Sequence, residues 1–311
     1  MSLITCVLED GCNLQRIDDY YSRIFHEFKY KMKCGKKIQF SGKFVHVNTI
    51  SDAGKPLKHP SDVKISYKLA MIIVSDFAND RIVFFNLFSF QYWFSMPLNR
   101  PSKMDLDDND DLIIVSNSSQ LFKIDLRNRK EIWKIERVGL SICGIAIEKH
   151  SNRIFLCDIS FTNPCIQIRE QDGTFLSNFE LPSALLYHPF SIAFDPICNN
   201  AYISCYYQHV IIMRSMDKVH DVKEIIGGYG EDIESLRQPR GILLDGKQLI
   251  VCDSCNCCIK LFSLDGHIIK SFGSKGIGLD QFRYPAAVCL NELNGELLVV
   301  DNTNHRILVY R

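Results

Sequence analysis

The chain has 311 residues and no run of 18 apolar ones, so no transmembrane helix is expected. Neither sign of charge is in excess. The 36 basic and 36 acidic residues cancel, whereas a nucleic-acid binder usually carries a clear basic surplus. No membrane partner and no DNA partner are therefore expected. A signal peptide is not recognisable either, because MSLITCVLEDGCNL has a short apolar part and carries Glu9 and Asp10. Cys6, Cys12, His26 and Cys34 lack zinc-finger spacing, which excludes a RING or B-box among them. No local motif marks a Ser-His-Asp or Cys-His nucleophile. Cysteine itself is plentiful, and the total of thirteen is odd. Cys143, Cys157, Cys205, Cys252 and Cys289 lie inside apolar runs, where a free thiol behaves as a small hydrophobe. Reduced cysteines point to the cytosol.

What is present is a repeat. IIVSDFANDRIVFF (72–85), LIVCDSCNCCIKLF (249–262), LLVVDNTNHRILVY (297–310) and the degraded IFLCDISFTNPCIQI (154–168) follow one pattern: apolar run, Asp, polar turn, apolar run. A Pro and a short apolar strand lie upstream at Pro60, Pro189, Pro239 and Pro285. Two weaker copies place Asn117 and Cys205 where the Asp stands. The equivalent positions 76, 117, 158, 205, 253 and 301 are spaced by 41, 41, 47, 48 and 48 residues, which makes six copies. Each copy reads as four short strands separated by Gly, Asn, Asp and Pro. Four antiparallel strands per copy is the unit of a β-propeller blade, so the expected fold is all-β with six blades.

The last copy stops after its third strand. SGKFVHVNTISDAG (41–54) matches the outer strand and turn of the fifth copy, LDGHIIKSFGSKG (264–276). Residues near 43–50 are therefore expected to close the ring as the outer strand of the last blade. Residues 1–40 form an extension outside the propeller at 41–311. Ile17, Tyr21, Ile24 and Phe28 recur every three or four residues, which predicts an amphipathic helix over 16–33. Packing against the propeller and a remnant of a coiled coil are both open readings, although the stripe is short for a coiled coil.

Pro-x-Gly-Ile followed by Val-x-Asp-x-x-Asn-x-Arg-Ile resembles the NHL repeat family, strongly at 239–310 and well at 60–85. The resemblance implies a six-bladed propeller like the one that ends TRIM-type ubiquitin ligases and binds RNA or proteins. It also covers a zinc-dependent lyase and bacterial sensor domains. A role as a ubiquitin ligase adaptor belongs to the same set of implications.

The repeated Asp76, Asp158, Asp253 and Asp301 read as structural, accepting hydrogen bonds from turn amides in the manner of an Asx-turn. Asn79, Asn256 and Asn304 read as turn residues. CDSCNCC (252–258) contains a Cys-x-x-Cys pair, but no second pair follows at ligand spacing, so no metal is assigned. Cys255 and Cys257 are expected to be exposed, oxidisable thiols. In the lyase relative, channel histidines from several blades hold zinc. Here only His59 and His188 start innermost strands, three blades apart, so neither an enzyme nor a cofactor is expected.

Recognition remains. The loops entering the innermost strands share one face around the channel mouth. They carry Lys58, His59, Ser61, Arg100, Lys103, Tyr187, His188, Phe190, Arg237, Arg240, Arg283 and Tyr284. This basic and aromatic mixture suits a protein or peptide partner, since Tyr and Arg dominate interface hot spots. RNA is the alternative, through phosphate neutralisation and base stacking. Acidic neighbours Glu231, Asp232, Glu234 and Asp107 weaken the RNA case.

Overall fold

The computed structural model describes residues 37–50, 55–161, 164–179, 181, 188–217 and 222–311. The helix expected at 16–33 and Tyr187 lie outside the described residues. The described chain forms a six-bladed β-propeller, with six four-stranded antiparallel sheets and one short parallel pair, Ser274–Lys275 with Gln281–Phe282. The innermost strands are Pro60–Ser66, Pro101–Leu106, Ile142–Glu148, Pro189–Asp195, Pro239–Asp245 and Pro285–Asn291. Each packs against the next, and the first packs against the last, so the ring is closed.

The sixth blade draws on both ends of the propeller. Its strand order is His46–Ile50, Arg306–Tyr310, Glu296–Asp301 and Pro285–Asn291. Thr49 pairs with Leu308 and Ile50 with Ile307, and Val45 and Arg311 exchange two main-chain hydrogen bonds at 3.0 and 2.9 Å. The third strand of this blade therefore has no open edge along that stretch.

The core lies between blades. Second strands such as Met71–Asp76 and Glu296–Asp301 are buried at every residue, because a neighbouring blade covers each face. Between blades six and one, Leu298, Val300 and Ile307 pack with Ile72, Val74 and Phe85. Burying each such side chain contributes roughly 1.5–3 kcal/mol. Outer strands such as Tyr92–Pro97 are half-buried or exposed.

Every innermost strand breaks register just after its first residue, as between Pro60 and Asp62, Pro189 and Ser191, and Pro285 and Ala287. Proline cannot donate to the ladder, and the bulge beside it re-aims the next side chains. Neighbouring inner strands then approach closely. A Cβ on Gly241 would lie 2.7 Å from the Cα of Ala287, and one on Gly144 would strike the carbonyl of Phe190. This contact explains the glycine of the Pro-x-Gly motif.

The register also moves one repeat position. Pro101 pairs with Ser116, as Pro60 pairs with Asp76, so Ser116 and not Asn117 stands where the Asp of other blades stands. Asn117 and Ser118 follow with left-handed backbones and form a different turn. Among the described residues, no helix is long and apolar enough to cross a membrane.

Candidate functional site

The repeated aspartates build a clasp, and its form differs from the expected Asx-turn. Asp76 Oδ1 accepts the amide of Lys58 at 2.6 Å, Asp253 Oδ1 that of Arg237 at 2.7 Å, and Asp301 Oδ1 that of Arg283 at 2.7 Å. These donors lie two residues before each proline, not in the turn that follows the aspartate. The second oxygen of each binds the Nδ2 of Asn79, Asn256 or Asn304 at 2.7–2.8 Å. Those asparagines also donate to Pro56, Gly230 and Gly276 carbonyls, so they tie down the entering loop. Only Asp158 accepts an amide of its own turn, from Ser160 at 2.9 Å, together with the amides of Leu140 and Ser141.

A cation completes three clasps. Arg81 Nε reaches Asp76 at 2.7 Å and Arg306 Nε reaches Asp301 at 2.9 Å. Blade five has Cys258 at that position. Lys260, two residues on and 2% exposed, takes over by placing Nζ 2.9 Å from Asp253 and on the carbonyls of Asp232 and Ser235. Burial pushes the Asp301 carboxyl above its ordinary range, while the Arg283 amide, Asn304 and Arg306 pull it back.

The clasp overturns the reading of the nearby thiols. Cys257 is buried, and Cys255 is half-buried with Sγ 2.7 Å from Gln238 Oε1. Burial raises the Cys255 thiol, partly offset by Arg237 and Arg240. Cys257 is therefore not exposed as expected, and Cys255 is half-buried with a raised thiol, which makes it a poor nucleophile.

The loops held by the clasps form one face of the ring, together with the turns between second and third strands. His59, Arg100, Gln238 and Tyr284 immediately precede prolines there and have φ of 49°, 41°, 53° and 68°. A residue before proline favours an extended backbone, so this left-handed set is strained and needs the fixed loops around it.

The face divides in two. Lys58, His59 and Arg100 stand on blades one and two, with the His59 ring edge-on to His305 at 4.4 Å. On blades three to six the structure brings Arg240, Phe190, Tyr284 and His188 together with residues that the sequence reading missed. Arg240 is enclosed by rings, its guanidinium carbon 4.2 Å from Tyr284, 4.7 Å from Phe190 and 5.3 Å from Tyr206. Phe190 itself is buried and forms the floor. The hydroxyls of Tyr206 and Tyr284 lie 3.0 Å apart, and Tyr206 also donates to Gln238 Oε1 at 2.9 Å.

From this centre the rings continue outward. Tyr206 meets Tyr207 at 4.8 Å, Tyr207 meets His188 at 4.8 Å and Phe161 at 5.5 Å. Phe161 is 75% exposed and Tyr207 40%. On the other side His209 and Tyr229 pack at 5.0 Å, and Arg237 lies over Tyr229. Arg237 is also ion-paired to Glu231 at 2.9 Å, so its charge is matched. Arg283 is exposed, and its main-chain amide is held by Asp301.

Below the mouth, the channel is polar. Lys103 Nζ bonds the carbonyls of Ser61 and Ala286 at 2.8 and 3.1 Å. Burial lowers its pKa, Asp62 raises it, and Arg240 lowers it further. Deeper, Lys64 pairs with Asp105 at 3.4 Å. Burial pulls the Lys64 ammonium down, but Asp105 and Asp62 outweigh that and hold it above its ordinary range. Among the described residues, no three His, Cys, Asp or Glu side chains converge as metal ligands. A separate cavity of about 350 Å³ lies on blade three, lined by Asp158, Cys165, Gln167, Arg169 and Phe175.

Residues 282–310 match the family described as NHL repeat. No curated protein matches the sequence. Solved structures of similar fold include an auxiliary nutrient binding protein from Bacteroides thetaiotaomicron, at TM-score 0.64 and 14% identity, covering 86% of this chain and 75% of that one. Another is the hydrazine synthase of Kuenenia stuttgartiensis, at TM-score 0.62 and 11% identity, covering 88% and 99%. A third is a putative phosphatase from Bacteroides thetaiotaomicron, at TM-score 0.65 and 11% identity, covering 82% and 71%. At these identities the likeness concerns the fold alone.

Proposed function

We propose that this propeller is a non-enzymatic binding module that recognises a protein or peptide on the face formed by blades three to six. The observation that carries the reading is the cluster in which Phe161, His188 and Tyr207 pack on one another, Tyr207 packs on Tyr206, and Tyr206 joins Tyr284 through their hydroxyls, with Arg240 between Tyr206 and Tyr284. Rigid aromatic side chains and arginine are the groups that anchor protein interfaces at low entropic cost. The clasps of blades five and six fix the loops that lead to Arg240 and Tyr284, and packed sheets lie beneath the rings of blade four, as a recognition surface requires. Exposed Leu140, at 77%, and Ile233, at 56%, lie in loops of the same face and add apolar area.

RNA binding by the same face receives less support. A nucleic-acid strand needs several free cations along its path. Here Arg237 is matched by Glu231, and Lys58 and Arg100 stand on other blades.

The test is capture of a protein partner from cell extract by the intact chain. The double variant Phe161→Ser, Tyr207→Ser should lose capture with an unchanged melting temperature. Tyr92→Ser with Trp93→Ser, on the outer strand of blade one, should retain it, and ribonuclease treatment should make no difference. Capture that survives the first variant, or that ribonuclease abolishes, would refute the proposal.

A further inference from the structure

We infer that the channel mouth receives an aspartate or glutamate side chain of the protein partner, seated on Arg240. This rests on the proposed use of the face for protein recognition and specifies the chemistry of what it recognises.

Three aromatic rings surround the Arg240 guanidinium and contact it through their faces. Such stacking leaves the in-plane N–H donors of the fork unused. One of them, Nε, is buried and has no hydrogen-bond partner among the described residues. An unmet charged donor in a ring-lined recess is costly, and an incoming anion would relieve it.

The second cation, Lys103, points the same way. Its ammonium rests on two carbonyls and lies within 5.6 Å of the Phe190 ring that floors the Arg240 cage. The carboxylate that influences it, Asp62, is engaged by the amides of Val63 and Met104 at 2.9 and 3.0 Å. Asp253, the other acid near this strand, is held by Lys260, Asn256 and the Arg237 amide. Among the described residues no carboxylate lies within ion-pair distance of Arg240, and Asp62 acts on Lys103 only from further off.

A carboxylate matches the guanidinium fork in two parallel hydrogen bonds, and the low local dielectric strengthens them. The surroundings narrow the source. Tyr207 and Phe161, which continue the rings outward from Tyr206, give this side of the mouth an apolar surface, which suits a single acidic residue set among apolar neighbours. A phosphate backbone would bring a row of charges to a single cationic centre. A terminal carboxylate is usually captured by successive backbone N–H groups, whereas the donors here are side-chain cations.

Random peptides displayed on phage would be selected against the intact chain, and the enriched peptide synthesised with Glu (or Asp) and with Gln (or Asn) at the shared acidic position. Fluorescence polarisation should show the amide form binding at least about tenfold more weakly, the scale of a lost charged hydrogen bond. R240Q should erase the difference between the two forms, and R240K, which keeps the charge but not the fork, should reduce it should R240Q fail to fold. Equal binding of both forms, with loss on Tyr207→Ser, would overturn the carboxylate inference and leave the protein-binding face standing. Binding abolished only by amidating the peptide's C-terminus would overturn it in favour of a terminal carboxylate. No enriched peptide, with or without binding of an oligouridine probe, would overturn both.

Discussion

The main-chain amide of His59 donates to Nδ1 of His305 at 3.1 Å, across the seam between the first and last blades. The same contact recurs between other blades. Asp80 Oδ1 accepts the amide of Arg100 at 2.9 Å, and His209 Nδ1 accepts that of Gln238 at 2.9 Å. In each case a left-handed turn residue of one blade holds the strained residue before the proline of the next. At the seam Asn302 adds a bond from Nδ2 to the carbonyl of Pro60 at 2.8 Å. Neighbouring blades are thus joined by hydrogen bonds at their rim as well as by apolar packing.

Because Nδ1 of His305 accepts a bond, the fold needs the neutral ring. Burial lowers its pKa, and so do His59 and Lys58, against the opposing pull of Asp76. His209 is lowered by burial and by Arg237, against Asp253. A base with a depressed folded pKa stabilises the fold fully above its unfolded value, about 6.5, and loses that contribution as pH falls toward and through the folded value. The melting temperature should therefore drop on acidification below about pH 6.5. His305→Asn can accept the same bond and tolerates the left-handed backbone, so it should flatten part of that slope. An identical slope in the variant would show that His305 does not titrate in this way.

Cutting the aspartate clasp should be expensive. Asp301→Ala leaves Arg306 and Asn304 without their carboxylate, at a cost of about 3 kcal/mol in urea unfolding. Blade five makes a sharper test. Lys260→Met should cost a similar amount, whereas Cys258→Ser, at the position arginine takes in blades one and six, should cost under about 1 kcal/mol. Equal effects at the two positions would argue against Lys260 as the substitute cation.

The Gly241 contact gives a third expectation. Alanine there places a methyl against the Ala287 backbone, so the inner strands of blades five and six must separate. Gly241→Ala should destabilise by roughly 1–3 kcal/mol, the range for an overfilled core. A stability equal to that of the parent would mean that the strands part freely.

The blades were legible where their signals are local. Pro239-x-Gly241 and Asp301-x-x-Asn304-x-Arg306 each lie within one strand and its turn, so the string shows the whole device. The partners of the aspartates were not visible, because their donors lie 16 to 18 residues upstream and the pattern displays only the acceptor. Blade two slipped by one residue because its turn begins at Asn117, a plausible stand-in for aspartate, while the ladder aligns Ser116. Lys260 escaped notice because it reaches the carboxylate from a different strand position.

The candidate face was half legible. Arg240, Phe190 and Tyr284 came from the proline-flanking loops, but Phe161, Tyr206, Tyr207 and Tyr229 did not. Attention to the second turn would have found a signal, since Tyr206-Tyr207 places two adjacent aromatic residues where blades five and six carry Ser254-Cys255 and Asn302-Thr303. The expected exposure of Cys255 and Cys257 failed for a related reason: their turn lies beneath the loop that Asn256 pins.

The seam sets the order of events when the chain folds. His59 and His305 are 246 positions apart, and the His46–Ile50 strand waits for a partner from beyond residue 305. Blades one to five consist of neighbouring hairpins and can assemble as they are made. The sixth cannot, and closing so long a loop carries a large entropic barrier. Until that step, the early strand and one flank of blade one present unmatched backbone and apolar surface to other chains. A ring that latches with its first strand is thus expected to refold slowly and to expose pairing-competent surface until it closes.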